Sequence, residues 1–192
     1  SFAAVANDAY NPEVTIYHGF WMVDWYAREF LDQSDPQAIH EILEGYLETT
    51  RPGADGLIHQ PYWGREAFRP EARGTFMGFS EGHDKRHIYR AIIEGLGYAL
   101  LEGLELIERK TTVPIQAVGL SGGGSRSDGV AQIMADILNR PVYRVQTYET
   151  TGLGAAIATF VGLNHYPDIQ AAGAAMIQKS RIFDPNPENV IK

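Results

Sequence analysis

No cysteine occurs among the 192 residues, which removes disulfides, thiolate metal sites and a cysteine nucleophile from consideration. No apolar run approaches the roughly 20 residues that a membrane-spanning helix needs. Ser1 to Asn7 carry neither the basic patch nor the apolar stretch of a secretory leader. Basic clusters are missing too. Arg51, Arg65, Arg69 and Arg73 are scattered through a Pro- and Gly-rich stretch, and the formal net charge is -8. Such a field repels a polyanion, so nucleic acid is not an expected partner. The lack of a long apolar run makes a membrane an unexpected one too, and the lack of cysteine fits a reducing cytoplasm as the expected setting. No Ser/His/Asp arrangement of the α/β-hydrolase kind can be read from the spacing. An acidic chain is still able to hold a nucleotide, because backbone N–H groups bind phosphate without net positive charge.

What is present alternates between helical and strand patterns. Val14–Tyr17 reads as a short β-type run. Val23, Tyr26, Phe30 and Leu31 then follow helical spacing. Ser34-Asp35-Pro36 starts a second helix, whose stripe is Ile39, Ile42, Leu43, Tyr46 and Leu47, and Arg51-Pro52-Gly53 ends it. Pro52–Gly74 reads mainly as loop, and Gly74–Phe79 as a short strand between glycines. The longest helix is expected over about Asp84–Arg109. Its Gly95, Ala99 and Gly103 recur every fourth residue. A helical glycine costs roughly 1 kcal/mol against alanine, so close approach of another backbone is expected there. Pro114–Leu120 reads as a strand, a helix carries Val130, Ile133, Met134, Ile137 and Leu138, and Pro141–Val145 is a further strand. A small-residue helix over about Leu153–Val161 and a last helix near Asp168 complete an α/β layered pattern.

The informative unit is strand, Gly122-Gly123-Gly124, helix. Three glycines let backbone approach a ligand closely, and the helix behind them is expected to present unpaired N–H groups and its positive dipole end. Ser125, Ser127 or Asp128 is suited to cap that helix, and either serine alternatively to donate to a nucleotide. A tight structural turn explains the same pattern. No Gly-Lys-Ser/Thr follows, so it is not a P-loop, and the third glycine of a dinucleotide fingerprint would fall at Ser127.

Around this turn the sequence resembles the FGGY carbohydrate kinases. Leu120–Asp128 continues through Ala135–Val142 and Glu149–Ala156, in the family's order. Upstream, Pro61-Tyr62-Trp63, Pro70–Thr75, Gly78 and His87–Gly95 are similar to its second signature region. The resemblance implies an α/β fold of the actin-like ATPase kind (ribonuclease H-like, hexokinase-type). Residues 1–192 would be the C-terminal, nucleotide-binding half of a two-domain kinase, truncated at both ends, with the N-terminal sugar-binding domain absent. It further implies ATP with Mg²⁺, transfer of the γ-phosphoryl group to a sugar or polyol hydroxyl, and Gly122, Gly123, Gly124, Ser127 and Gly19 at the nucleotide. The catalytic aspartate and the metal ligands are expected upstream of this chain, which alone is expected to be inactive.

Two departures stand out. The family usually has an acidic residue where Ser121 stands, and its small approach to the first helix appears here as His18-Gly19-Phe20-Trp21-Met22. A non-catalytic module that kept the fold is the alternative. Other residues carry weaker signals. His83 and His87 stand four apart without a third ligand and read as a solvated pair. Glu102, Glu105 and Glu108 read as a solvated helix face. Asp24 and Asp55 are unpaired acid or base candidates, and Trp21, Trp25, Tyr62 and Trp63 suit packing more than stacking on a ligand. An apolar face near Trp21 and Trp25, or beyond Phe183, is expected to bring two copies together as a homodimer.

Overall fold

The computed structural model describes residues 2–3, 10–17, 19–63 and 70–190. The expectations placed on Ser1, residues 4–7, His18, Arg65, Arg69 and Lys192 lie outside these residues. A short antiparallel pair, β1 (Phe2–Ala3) and β2 (Tyr10–Asn11), opens the chain. The Val14–Tyr17 run is no strand. It joins no ladder among the described residues, and its apolar character instead serves packing: Ile16 lies on the core, and Val14 fills the space over Gly103.

Helix α1 (Trp21–Phe30) buries Met22, Tyr26 and Ala27. Helix α2 (Pro36–Thr49) begins as the start signal predicts. The Asp35 carboxylate accepts from the Ala38 N–H at 2.8 Å, and Pro36, which has no N–H to lose, sits in the first turn. The stretch read as loop from Pro52 to Gly74 contains strand β3 (Ile58–Gln60), paired antiparallel with β4 (Thr75–Met77).

Helix α3 (Lys85–Thr111) is the spine of the molecule. Its N-terminus corrects the reading of the histidines. His87 is buried and closes a capping box with Asp84, while its Nε2 lies 3.2 Å from the Asp55 carboxylate. His83 accepts from the Ser80 N–H at 2.8 Å. Among the described residues no cluster of three or more His, Cys, Asp or Glu is placed to hold a metal. The small-residue stripe of α3 has the expected cause at Gly95, where a β-carbon would stand 2.5 Å from the His59 carbonyl oxygen of β3. Glu102 and Glu105 are exposed, but Glu108 is not a free surface carboxylate. It binds Arg140 at 2.9 Å and accepts from the Ile115 N–H at 2.7 Å.

The second half alternates strand and helix until two helices follow each other before the last strand: β5 (Val118–Leu120), α4 (Asp128–Leu138), β6 (Val142–Val145), α5 (Thr150–Gly162), α6 (Ile169–Met176) and β7 (Lys179–Phe183). These strands form one sheet in the order β5-β6-β7, parallel between β5 and β6 and antiparallel between β6 and β7. The sequence pattern does not reveal β7. Helix α4 packs on α3, α2 and the sheet, and the core gathers Ile92, Ile93, Leu96, Met134, Leu138 and Val142 at the junction. Each such side chain contributes about 1.5–3 kcal/mol when removed from water. An ion pair is set into the same region. Arg90 donates to Glu94 at 2.7 Å and to the Leu47 and Thr50 carbonyls at 3.0 and 2.8 Å, fastening the end of α2 to α3.

Candidate functional site

Strand β5 ends at Leu120, and the chain then turns across the open end of the sheet. Gly122 takes φ 79° and ψ −174°, a conformation that essentially only glycine adopts. Its N–H donates to the Tyr148 carbonyl at 3.2 Å, and its own carbonyl accepts from Ser125 Oγ at 2.7 Å. Residues Gly123–Arg126 then form one 3-10 turn before α4 begins. The helix therefore does not follow the glycines directly, as the sequence suggested.

Nor are the first N–H groups of α4 unpaired. Ser127 Oγ accepts from Val130 N–H at 2.9 Å, and Glu44 of α2 accepts from Gly129 N–H at 3.1 Å. Of the capping candidates, Ser127 is the cap. Ser125 braces the turn, and Asp128 pairs with Arg144 at 2.6 Å and with Arg181. Arg144 also donates to the Ser127 carbonyl at 2.6 Å, so β6 holds the corner where turn becomes helix.

The turn forms one wall of a cleft of about 900 Å³, within the range typical of ligand sites. Ser121, Gly122, Gly123, Gly124, Arg126 and Ser127 lie on this wall. The opposite wall comes from α1 and its entry, through Phe20, Trp21, Asp24 and Arg28. Gln33, Pro36, Ile39 and His40 close it from α2 and the preceding loop, and Tyr89 of α3 lies at its buried side. Burial pushes the Tyr89 hydroxyl well above its usual pKa, with the nearby Glu44 carboxylate adding to the shift, so it stays a neutral phenol.

The three glycines differ in what they face. Nothing lies within 4 Å of a β-carbon placed on Gly122 or Gly123, whereas one on Gly124 would meet the Phe20 ring at 2.7 Å. The structure thus brings Gly122, Gly123, Gly124 and Ser127 together on one cleft. Gly19 stands just outside it, with its open side toward the Ile16 carbonyl at 3.6 Å.

Of the residues with weaker signals, Trp21 and Asp24 reach the cleft. Asp55 is engaged with His87 at the start of α3, and Trp25 and Trp63 pack against each other with ring centres 4.7 Å apart. Tyr62 is absent from the lining. Sequence reasoning missed Arg28, Gln33 and His40, which belong to no local motif, and Arg126, which stands within the glycine motif but was not singled out. Arg126 lies over the Tyr148 ring at 5.2 Å. The arrangement offers an aromatic surface, a backbone turn free of side chains and polar groups of both signs, which suits a molecule with a flat apolar part and a polar chain.

Residues 13–163 match the profile of the C-terminal domain of the FGGY family of carbohydrate kinases. A xylulose kinase of Lactococcus lactis is 29% identical over 192 residues, covering 98% of this chain and 37% of that protein. Among solved structures, a gluconate kinase from Lactobacillus acidophilus superposes with TM-score 0.75 and 28% identity over 90% of this chain and 35% of that one. A ligand-bound xylulose kinase from the same organism gives TM-score 0.75 and 26% identity over 88% and 34%. The chain spans little more than a third of the length of these relatives. The fold is the α/β, actin-like kind that the sequence motifs implied.

Proposed function

The chain belongs to the FGGY family of carbohydrate kinases, as its C-terminal domain, and we propose that it forms the adenine-nucleotide wall of an enzyme moving the γ-phosphoryl group of ATP to a hydroxyl of a sugar or polyol. The observation that carries this reading is the unobstructed backbone of Gly122 and Gly123 on the 900 Å³ cleft. Such a turn admits a nucleotide to backbone distance, where a side chain would exclude it. Ser127, fixed by its cap bond and by Arg144, borders the same surface. Gly19 acts indirectly in this reading, by shaping the entry to α1.

Phosphoryl transfer needs positioning and charge stabilisation more than covalent chemistry from the protein. The cleft supplies positioning. Glu44 and Ser127 already occupy the Gly129 and Val130 N–H groups at the α4 terminus, which weakens its attraction for phosphate. Mg²⁺ would enter with the nucleotide's phosphates and neutralise charge there.

The test is titration of ADP into wild type and Gly123→Val, with thermal unfolding of each. Nothing surrounds a side chain at this position, so the variant is expected to unfold like wild type and to bind ADP at least about tenfold more weakly, a loss of about 1.4 kcal/mol. Equal affinity in a folded variant removes the turn from the binding site.

A further inference from the structure

We propose that Phe20 is the surface on which the nucleotide's base stacks, and hence a specificity-determining residue of the cleft. This rests on the nucleotide reading above and deepens it. Phe20 occupies the N-cap position of α1, yet its backbone is helical and its side chain makes no capping bond. A phenyl ring has no group with which to cap the helix. It lies instead on the glycine turn: Cδ1, Cγ and Cε1 stand 2.7, 2.9 and 3.0 Å from where a β-carbon on Gly124 would be. Three ring carbons at nearly equal distance place the ring over Gly124, and glycine at 124 is what lets it settle there.

The same ring is half-buried and lines the cleft beside Gly122 and Gly123, whose faces are open. A planar base entering along that open backbone meets Phe20 as its adjoining aromatic surface. Asp24, one helical turn further along α1, is the only acidic side chain among the described residues of the cleft lining. It is placed to accept from a nucleoside donor, a ribose hydroxyl or an exocyclic amine.

A ring that merely plugs the cleft gives the opposite response to its removal, so the direction of change decides. ADP is titrated into wild type, Phe20→Leu and Phe20→Tyr, with the folded fraction of each measured by thermal unfolding. Leucine keeps an apolar side chain on Gly124 without a π-face, and tyrosine keeps the face. The expected result is about tenfold weaker ADP binding per folded molecule for Phe20→Leu, the scale of one base–aromatic stack, and near wild-type binding for Phe20→Tyr. Titration with 2′-deoxy-ADP and IDP, which lack the 2′-hydroxyl and the exocyclic amine respectively, identifies the donor that Asp24→Asn ceases to read. Phe20→Leu that binds ADP as tightly as wild type, or more tightly, overturns the proposal while leaving the nucleotide site standing. Wild type that binds no ADP overturns both.

Discussion

Replacing Gly95 by alanine sets two effects of known sign against each other. Alanine in a helix interior is favoured over glycine by about 1 kcal/mol, so local propensity alone has Gly95→Ala stabilise α3. The new methyl, however, would stand 2.5 Å from the His59 carbonyl oxygen and 2.8 Å from its Nδ1. The first of these atoms is backbone, held in the β3–β4 ladder by Ile58, His59 and Gln60. No rotamer change relieves the contact. Strand β3 must retreat from α3 by about 1 Å to reach ordinary contact distance. Overpacking of this kind costs about 1–3 kcal/mol. A clash with fixed backbone belongs at the upper end, which leaves a net loss of about 2 kcal/mol.

For a chain of this size that loss lowers the unfolding midpoint by about 4–8 °C. Gly45→Ala in α2 is the control, since nothing lies within 4 Å of its β-carbon, and it is expected to gain up to about 1 kcal/mol. Urea unfolding followed by tryptophan fluorescence measures both. Equal stabilisation by the two substitutions would refute the close-approach account of the α3 glycines.

Two further outcomes follow from buried charge. Glu94→Leu leaves Arg90 buried without its partner and removes the acceptor of the Gly53 N–H, so a loss of about 3–5 kcal/mol is expected in urea unfolding, with faster amide exchange in the Gly53–Gly56 turn. His59 is 3% exposed, neither ring nitrogen has a hydrogen-bond partner among the described residues, and burial lowers its pKa to about 4. Since the unfolded chain takes up this proton first, stability is full above about pH 6.5 and falls as pH drops toward 4, by on the order of 2–3 kcal/mol. His59→Met should flatten that slope when unfolding midpoints are measured across the range. The Asp84 carboxylate, held below its usual range chiefly by its hydrogen bond with Arg86, acts only at lower pH, below the ordinary carboxylate pKa.

Helices with a start signal and a long stripe are legible in the sequence. Asp35-Pro36 opens α2, Asp84 opens α3 and Asp168 opens α6, because a cap is a local interaction written in adjacent residues. The short strands are not. Ile58-His59-Gln60 is too brief to show alternation, and Lys179–Phe183 is a mostly exposed edge whose partner lies more than thirty residues away. Val14–Tyr17 misleads in the other direction, since β-type composition does not by itself supply a partner strand.

The site divides in the same way. The glycine wall is contiguous and visible as a motif. The facing wall of Phe20, Asp24, Arg28 and His40 arrives from about a hundred residues earlier through the packing of α1 and α2. The cap that Glu44 places on Gly129 is likewise a tertiary contact with no signature in either segment.

Glu44 has a counterpart on the other helix of that facing wall. Its carboxylate ties α2 to the first turn of α4, Leu47 lies against Gly129, and the Tyr26 hydroxyl donates to the Lys85 carbonyl at 2.6 Å, tying α1 to the start of α3. Both elements that oppose the glycine turn are therefore fastened to the body that carries it. A ligand entering between them finds the walls already at their spacing and has little chain to order. Such preorganisation lowers the conformational entropy lost on association, so binding to this domain should resemble a fit into a rigid socket, with order parameters of the α1 and α2 backbone little changed by the arrival of nucleotide.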